Sequence, residues 1–218
     1  MSVPVVEVLQ RLLPRRLARW LDFKSMNKGH KLIYENVARV LELKPEDDLL
    51  EVACGNGFFL KMYASHVHSV AGLDISEPSV ALAAKKNKDR VTTGTARFVC
   101  GEASQLPWED NEFSVATCMG VFPWLSKPLD TLKEIHRVLR PVGRSVISIE
   151  WHTEDGVDRS KEIERFGHQS WSEADVRAMF EAAGFSDPCI TYAEGRRTRN
   201  MMIVHAAKQL EARPNTSS

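Results

Sequence analysis

Apolar and polar positions along this chain recur with two different periods. Within residues 31–41, Ile33, Val37, Val40 and Leu41 fall on one side at helical spacing, which predicts an amphipathic helix. Lys44-Pro45-Glu46-Asp47-Asp48 breaks that pattern as a turn. Leu49-Leu50-Glu51-Val52 and Val70-Ala71-Gly72-Leu73-Asp74 are short apolar runs of buried-strand type, each carrying an acid. Ser76 can cap a following helix whose first turn tolerates Pro78. Ser126 can cap another, with Pro128 early and Leu129, Leu132, Ile135 and Leu139 at helical spacing. Residues 144–151 alternate as a strand. Ser172-Glu173-Ala174-Asp175 is a capping-box variant opening a helix that Gly184 closes. Residues 189–193 and 201–207 read as two last strands, a hairpin across 194–200. Strands alternating with helices predict an α/β fold with a doubly wound, mostly parallel sheet.

The chemistry begins after the first strand. Ala53-Cys54-Gly55-Asn56-Gly57 is a glycine turn, and the next strand ends in Asp74. This pairing suits a nucleoside-bearing cofactor. The turn lets a ligand approach the backbone, and a carboxylate one strand over meets the two ribose hydroxyls. The dinucleotide fingerprint has a third glycine three residues after the second, and Leu60 stands there. The loop holds no Arg or Lys, and no Gly-Lys-Ser/Thr follows it, which argues against a nucleoside triphosphate. The Gly55, Asn56 and Gly57 amides, near a helix N-terminus, suit a ligand carboxylate.

The chain resembles the class I S-adenosylmethionine-dependent methyltransferases over roughly residues 30–150. The resemblance rests on the glycine turn, on Gly101-Glu102-Ala103-Ser104-Gln105-Leu106-Pro107-Trp108, on Phe113-Ser114-Val115-Ala116-Thr117-Cys118, and on Leu132-Lys133-Glu134-Ile135-His136-Arg137-Val138-Leu139-Arg140-Pro141-Val142-Gly143, all in order. It is nearest to the small-molecule branch of ubiquinone/menaquinone-type enzymes, and Met26-Asn27-Lys28-Gly29-His30 is similar to a segment of some bacterial members. It implies a seven-stranded Rossmann-like sheet with an antiparallel C-terminal strand, and S-adenosylmethionine as cofactor with S-adenosylhomocysteine as product. It assigns Glu51 to the cofactor's ammonium, with Ala53, Gly55, Asn56 and Gly57 around its amino-acid end. Asp74 goes to the ribose, Ile75 to an adenine face, Glu102 and Ala103 to the adenine edge, and Met119 to the crevice after the fourth strand. Two positions depart from the family pattern: Ala53 and Val142 stand where glycine is usual.

The chain has 218 residues, 43% hydrophobic and 27% charged, which is one ordinary globular core. A formal net charge of zero carries no nucleic-acid footprint. The four cysteines form no Cys-x-x-Cys pair and read as buried reduced thiols, with no metal site expected and a cytoplasmic location. No apolar run is long enough to span a membrane.

Residues 1–30 read as a helical cap, residues 31–210 as the cofactor-binding domain and residues 211–218 as a loose tail. Residues 1–31 hold seven Lys/Arg against Glu7 and Asp22, with apolar residues at helical spacing. The segment reads as a cap over the acceptor pocket, with weak contact to a membrane surface as the alternative. The expected acceptor is a small organic or lipid-like molecule, its pocket lined by Met26, Asn27, Phe122, Trp124, Trp151 and His152. Residues 151–171 read as an irregular lid or pocket wall. His30, which the resemblance places over the cofactor, is the candidate base. Methyl transfer to RNA or protein, or cofactor binding without catalysis, are the alternatives; the acceptor and the oligomeric state are left open.

Overall fold

The computed structural model describes residues 28–194 and 200–210. Helix α1 (Lys28–Leu41) begins ahead of the apolar periodicity and buries Ile33, Val37 and Leu41, while Val40 is half-buried. Seven strands follow: β1 (Asp48–Val52), β2 (Ser69–Asp74), β3 (Ala96–Cys100), β4 (Phe113–Met119), β5 (Leu139–Ile149), β6 (Ser186–Ala193) and β7 (Met201–Ala207). They form one sheet in the order β3-β2-β1-β4-β5-β7-β6. The pairings among β1 to β5 are parallel, and β7 runs antiparallel to both β5 and β6. The expected doubly wound sheet with an antiparallel last strand is therefore present.

Alternation along the strands builds two cores. Leu50, Val52, Ala116, Cys118, Ile147 and Ile149 face one side. There they pack with Leu132 and Ile135 of α5 (Pro128–Val138) and with Val176 and Phe180 of α7 (Glu173–Ala182). Leu49, Val70, Val115 and Val146 face the other, against Ile33, Val37 and Leu41 of α1 and Phe59 and Leu60 of α2 (Phe58–Tyr63). Each such buried side chain is worth about 1.5–3 kcal/mol. Helices α3 (Glu77–Lys86) and α4 (Lys88–Thr92) flank β3.

At the amino-terminal ends of the strands, Arg144 ties β5 to the turn before β1. Its guanidinium donates to the carbonyls of Leu41 (2.6 Å) and Glu42 (2.9 Å) and to the Asp47 carboxylate, which also accepts from Ser114 Oγ at 2.8 Å. Burial works against the Asp47 charge, but the bonds from Arg144, the Lys44 amide and Ser114 prevail and hold its carboxyl below the usual range. This clasp sits at the end of the sheet away from the cofactor loop.

Several details differ from expectation. Ser76 does cap α3, accepting from the Ser79 amide, and both bonds of the Ser172/Asp175 capping box are formed. Ser126 does not cap α5: Lys127 takes that position without a side-chain bond, and Pro128 sets the first turn. Strand β5 starts at Leu139 and carries an irregularity, since its register with β4 jumps from Phe113↔Leu139 to Val115↔Arg144. Residues 151–171 are not wholly irregular, because α6 (Ser160–Phe166) lies within them. Of the four cysteines, only Cys54 and Cys118 are buried; Cys100 and Cys189 are exposed.

Candidate active site

In an open α/β sheet, ligands bind beyond the carboxyl ends of the strands where the strand order reverses. Here the order reverses between β1 and β4. A cleft of about 190 Å³ opens there, walled by Glu51, Ala53, Cys54, Gly55 and Asn56 from β1 and its loop, Met119, Gly120 and Val121 after β4, and His30, Ile33 and Tyr34 of α1. Glu150, just beyond β5, completes it.

The glycines divide the work. Gly55 has φ +51° and nothing within 4 Å of where a Cβ would sit, so its Cα side is open to a ligand. Gly57 has φ +67°, and a Cβ there would lie 2.7 Å from the Ala83 Cβ. It is the point where the start of α2 meets α3. The packing role that a third loop glycine serves in dinucleotide folds is filled from the sheet. A Cβ on Gly72 of β2 would come within 3.0 Å of Leu60, so the glycine on the strand leaves room for the leucine on the helix.

The Gly55 and Gly57 loop amides are engaged within the protein. The Gly55 amide donates to Asp74 Oδ2 at 2.8 Å, and the Gly57 amide donates to the Cys54 carbonyl at 2.9 Å. Asp74 Oδ1 also accepts from the Ser76 amide at 2.9 Å. Asp74 thus locks the loop as well as offering its remaining lone pairs to a ribose. Burial raises its carboxyl above the usual range, partly offset by these two amides.

Glu51 is the unusual group. It lies inside β1, is 4% exposed, and its Oε2 has no hydrogen-bond partner among the described residues. Burial, with the nearby Asp74 charge adding, pushes its carboxyl well above the ordinary value. A buried, unpaired carboxylate at a cleft wall is costly unless a cation meets it.

The tips of β2 and β3 carry the other predicted cofactor residues. The Gly101 amide donates to the Asp74 carbonyl at 3.0 Å and Cys100 Sγ to the Ile75 carbonyl at 3.4 Å. Ile75, exposed Glu102 and half-buried Ala103 therefore sit side by side, next to Asp74 and outside the enclosed cleft. A clamp from α5 holds the loop that bears them. Arg137 donates to the carbonyls of Leu106 (3.0 Å) and Trp108 (2.8 Å), and Glu134 accepts from the Leu106 amide at 2.7 Å. Arg137 also bonds Glu134 at 2.7 Å, which holds the Glu134 carboxyl below its usual range.

Comparison with known proteins bears on this geometry. A family described as "Methyltransferase domain" matches residues 50–147. The chain is similar to a methyltransferase domain over that stretch. It is similar to 24-methylenesterol C-methyltransferase 2 of Arabidopsis thaliana, 33% identical over 131 residues, covering 60% of this chain and 36% of that protein. It is also similar to demethylmenaquinone methyltransferase of Staphylococcus saprophyticus, 33% identical over 120 residues, covering 54% of this chain and 50% of that one. The chain thus matches half or less of the length of these two relatives. A chain in a Haloferax volcanii complex of a methyltransferase with a methyltransferase activator shares the fold, with TM-score 0.74, 20% identity, and coverage of 92% of this chain and 98% of its own.

The methyl donor of the class I methyltransferases that the chain resembles is S-adenosylmethionine, and the residues fit it. The unpaired Glu51 oxygen suits the ammonium group, Gly55 leaves its face open, and Asp74 with Ile75, Glu102 and Ala103 lies where ribose and adenine would follow. The loop amides offer the carboxylate less than their number implies, because Gly55 and Gly57 donate within the protein.

The fold places the expected acceptor residues unevenly. Met26 and Asn27 lie outside the described residues, as do most of the 1–30 cap, residues 195–199 of the hairpin and the 211–218 tail. Phe122 is fully buried, 5.2 Å from the Trp171 ring in the core. Trp124 and Trp151 pack around the His168 ring at 4.9 and 4.5 Å. His152 turns to the β6–β7 hairpin, its Nε2–H donating to the Asn200 carbonyl at 2.6 Å. The 151–171 segment is tied to the loop after β4 and to itself by backbone bonds, and none of its described residues lines that cleft. The Gln169 amide donates to the Pro123 carbonyl at 2.8 Å and the Thr153 amide to the Trp171 carbonyl at 3.0 Å. Among the described residues, the cleft itself takes only His30 from the acceptor-side expectations. Sequence reading missed Ile33, Tyr34 and Glu150 as lining residues. Glu150 carried a signal, an acid at the carboxyl end of an alternating strand, as with Glu51.

Proposed function

We propose that this protein transfers the methyl group of S-adenosylmethionine to a small, lipid-like acceptor by in-line displacement. The observation that carries the reading is Glu51, a buried carboxylate oxygen without a partner on the wall of the switch-point cleft. The relatives named for a sterol and for a menaquinone precursor support a lipid-like acceptor. Bound cofactor supplies a methyl already activated on a sulfonium, so the protein's tasks are placement and exclusion of water. Glu51 balances the ammonium and Asp74 holds the ribose while fixing the Gly55 turn. Met119 and Val121 close the cleft on the sheet side, and Ile33 and Tyr34 close it from α1. His30, at the rim on α1, holds a proton lost by the acceptor.

In this reading residues 1–30 cover the acceptor side, residues 31–210 form the methyltransferase domain, residues 211–218 are a tail, and the protein works in the cytoplasm. Among the described residues no helix is long and apolar enough to cross a membrane. A screen of isoprenoid, sterol-like and quinol acceptors, followed by S-adenosylhomocysteine formation, tests the proposal. Turnover with at least one class is expected. Tight cofactor binding with no turnover across the screen would favour a non-catalytic binding role.

A further inference from the structure

We infer that Asn87 is a positioning residue for the cofactor loop, holding the Gly57 carbonyl from behind so that Gly55 and Asn56 stand ready at the cleft before a ligand arrives. The inference rests on the cofactor reading above and goes beyond it, because Asn87 is 30 residues from Gly57 in sequence and does not line the cleft. Gly55 and Asn56 belong to the cleft wall, and Gly57 links them to the start of α2.

Asn87 closes α3 and opens α4 with its backbone alone. Its amide donates to the Ala83 carbonyl at 3.1 Å, and its carbonyl accepts from the Arg90 and Val91 amides at 3.0 Å each. The residue is 1% exposed, and its side-chain Nδ2 donates to the Ala83 carbonyl at 2.9 Å and to the Gly57 carbonyl at 3.3 Å. Two carbonyls on one side fix which end of the amide faces them, since Oδ1 there would meet only acceptors. Oδ1 itself meets no donor among the described residues. A buried amide with an idle acceptor is unfavourable. Both carbonyls it serves already accept a backbone amide, Ala83 from Asn87 and Gly57 from Lys61 at 3.0 Å. An apolar side chain of the same size would therefore leave neither carbonyl orphaned. What the amide adds is direction at Gly57.

Ties to β2 and to α3 hold the loop. The Cys54 amide donates to the Leu73 carbonyl at 2.9 Å and the Gly55 amide to Asp74. Gly57 is seated on α3, where a Cβ would lie 2.7 Å from the Ala83 Cβ and 3.2 Å from Asn87 Nδ2. Asp74 is shared, because ribose hydroxyls draw on the same carboxylate that holds Gly55. Asn87 stands behind the wall, so a ligand in the cleft leaves its bond to Gly57 in place. Glycine has the most backbone freedom to lose, and Gly57 is held at φ +67°. A second bond to its carbonyl fixes the peptide joining Gly57 to Phe58, and with it the turn that carries Gly55 and Asn56. Without that bond the turn samples other arrangements, and apparent affinity falls with the fraction that stays competent.

The test uses the full chain, with calorimetry against S-adenosylhomocysteine and backbone hydrogen exchange of the ligand-free protein. Asn87→Leu keeps the volume and removes both donors. Asn87→Ser keeps a hydroxyl that reaches the Ala83 carbonyl one turn back, as serines in helices do, but is too short for Gly57. Both variants are expected to bind S-adenosylhomocysteine about three- to tenfold more weakly, the range of one neutral hydrogen bond. Exchange at residues 55–57 should quicken in both, while exchange in residues 77–83 and the Tm of Asn87→Leu stay close to native. Asn87→Ser carries the test if Asn87→Leu folds poorly. Native-like affinity or native-like loop exchange in Asn87→Leu, or their recovery in Asn87→Ser, overturns the inference while the cofactor site stands. A Tm loss in both variants with faster exchange throughout α3 makes Asn87 a cap of that helix alone, and overturns it too. Failure of the native protein to bind S-adenosylhomocysteine overturns the inference and the cofactor reading together.

Discussion

Ala53 and Val142 stand where the family resemblance leads one to expect glycine, and both adopt the left-handed backbone region, with φ of +57° and +59°. That conformation costs an L-residue about 1–2 kcal/mol, and a β-branched side chain is the least suited to it. Val142 is 66% exposed, so its side chain gains little in return. Its amide still donates to the Lys208 carbonyl at 2.8 Å, which pins the conformation. Val142→Gly relieves the strain but gives back about 0.4–1 kcal/mol of unfolded-state entropy. The expected net gain is about 0.5–1 kcal/mol, read as a Tm rise of roughly 1–4 °C, and a lower Tm would contradict it. The departures from glycine, the acid on β1 and the acid on β2 were all visible in the sequence. Which partner each loop amide meets was not, because Asp74 reaches Gly55 only once β1 and β2 lie side by side.

Among the elements, those with a cap and a periodic face were legible. Ser76 and Ser172 announce α3 and α7, and Leu132 and Ile135 announce the buried face of α5. Helix α6 was not legible, because Ser160-Lys161-Glu162-Ile163-Glu164-Arg165-Phe166 is mostly charged and offers no apolar stripe. Local propensity and the Asp158 carboxylate accepting from the Ser160 amide at 2.9 Å start it instead. The clamp from α5 to the 101–112 loop was also hidden, since a Glu and an Arg three residues apart on a helix usually pair in solvent. Arg137→Met removes bonds to two loop carbonyls and to Glu134, and should cost about 2 kcal/mol. Glu134 has a lowered carboxyl, so the clamp's contribution is present above the ordinary Glu value and fades as pH falls through the folded one. The stability gap between the two proteins in denaturant titrations should therefore narrow on acidification by the Glu134 share, leaving that of the loop carbonyls. A constant gap down to the lowest pH would show that the Glu134 pairing contributes nothing.

For the whole molecule, the doubly wound, mostly parallel sheet followed from alternating strands and helices; its strand order and switch point, seen only in the structure, place the cleft before any side chain is considered. The acceptor side followed less well. Phe122 went to the core and His152 to the last hairpin, because residues near a strand end in sequence can turn to either face of the sheet. The claim that everything else rests on is a site for a cationic, adenosine-bearing ligand at the β1–β4 crevice, with Glu51 as its counter-charge. In the free protein burial keeps a proton on Glu51 above its usual range, and the ligand's ammonium favours the ionised form. Binding then releases that proton, and affinity climbs with pH until Glu51 is ionised in the free protein as well. The most direct measurement is titration calorimetry of the full chain with S-adenosylhomocysteine and with NAD between about pH 5 and 8, repeated on Glu51→Gln. S-adenosylhomocysteine should bind and NAD should not, with affinity rising toward higher pH in the native protein and a weaker, flat profile in Glu51→Gln. Binding of NAD without S-adenosylhomocysteine, or the same rise with pH in Glu51→Gln, would contradict the account.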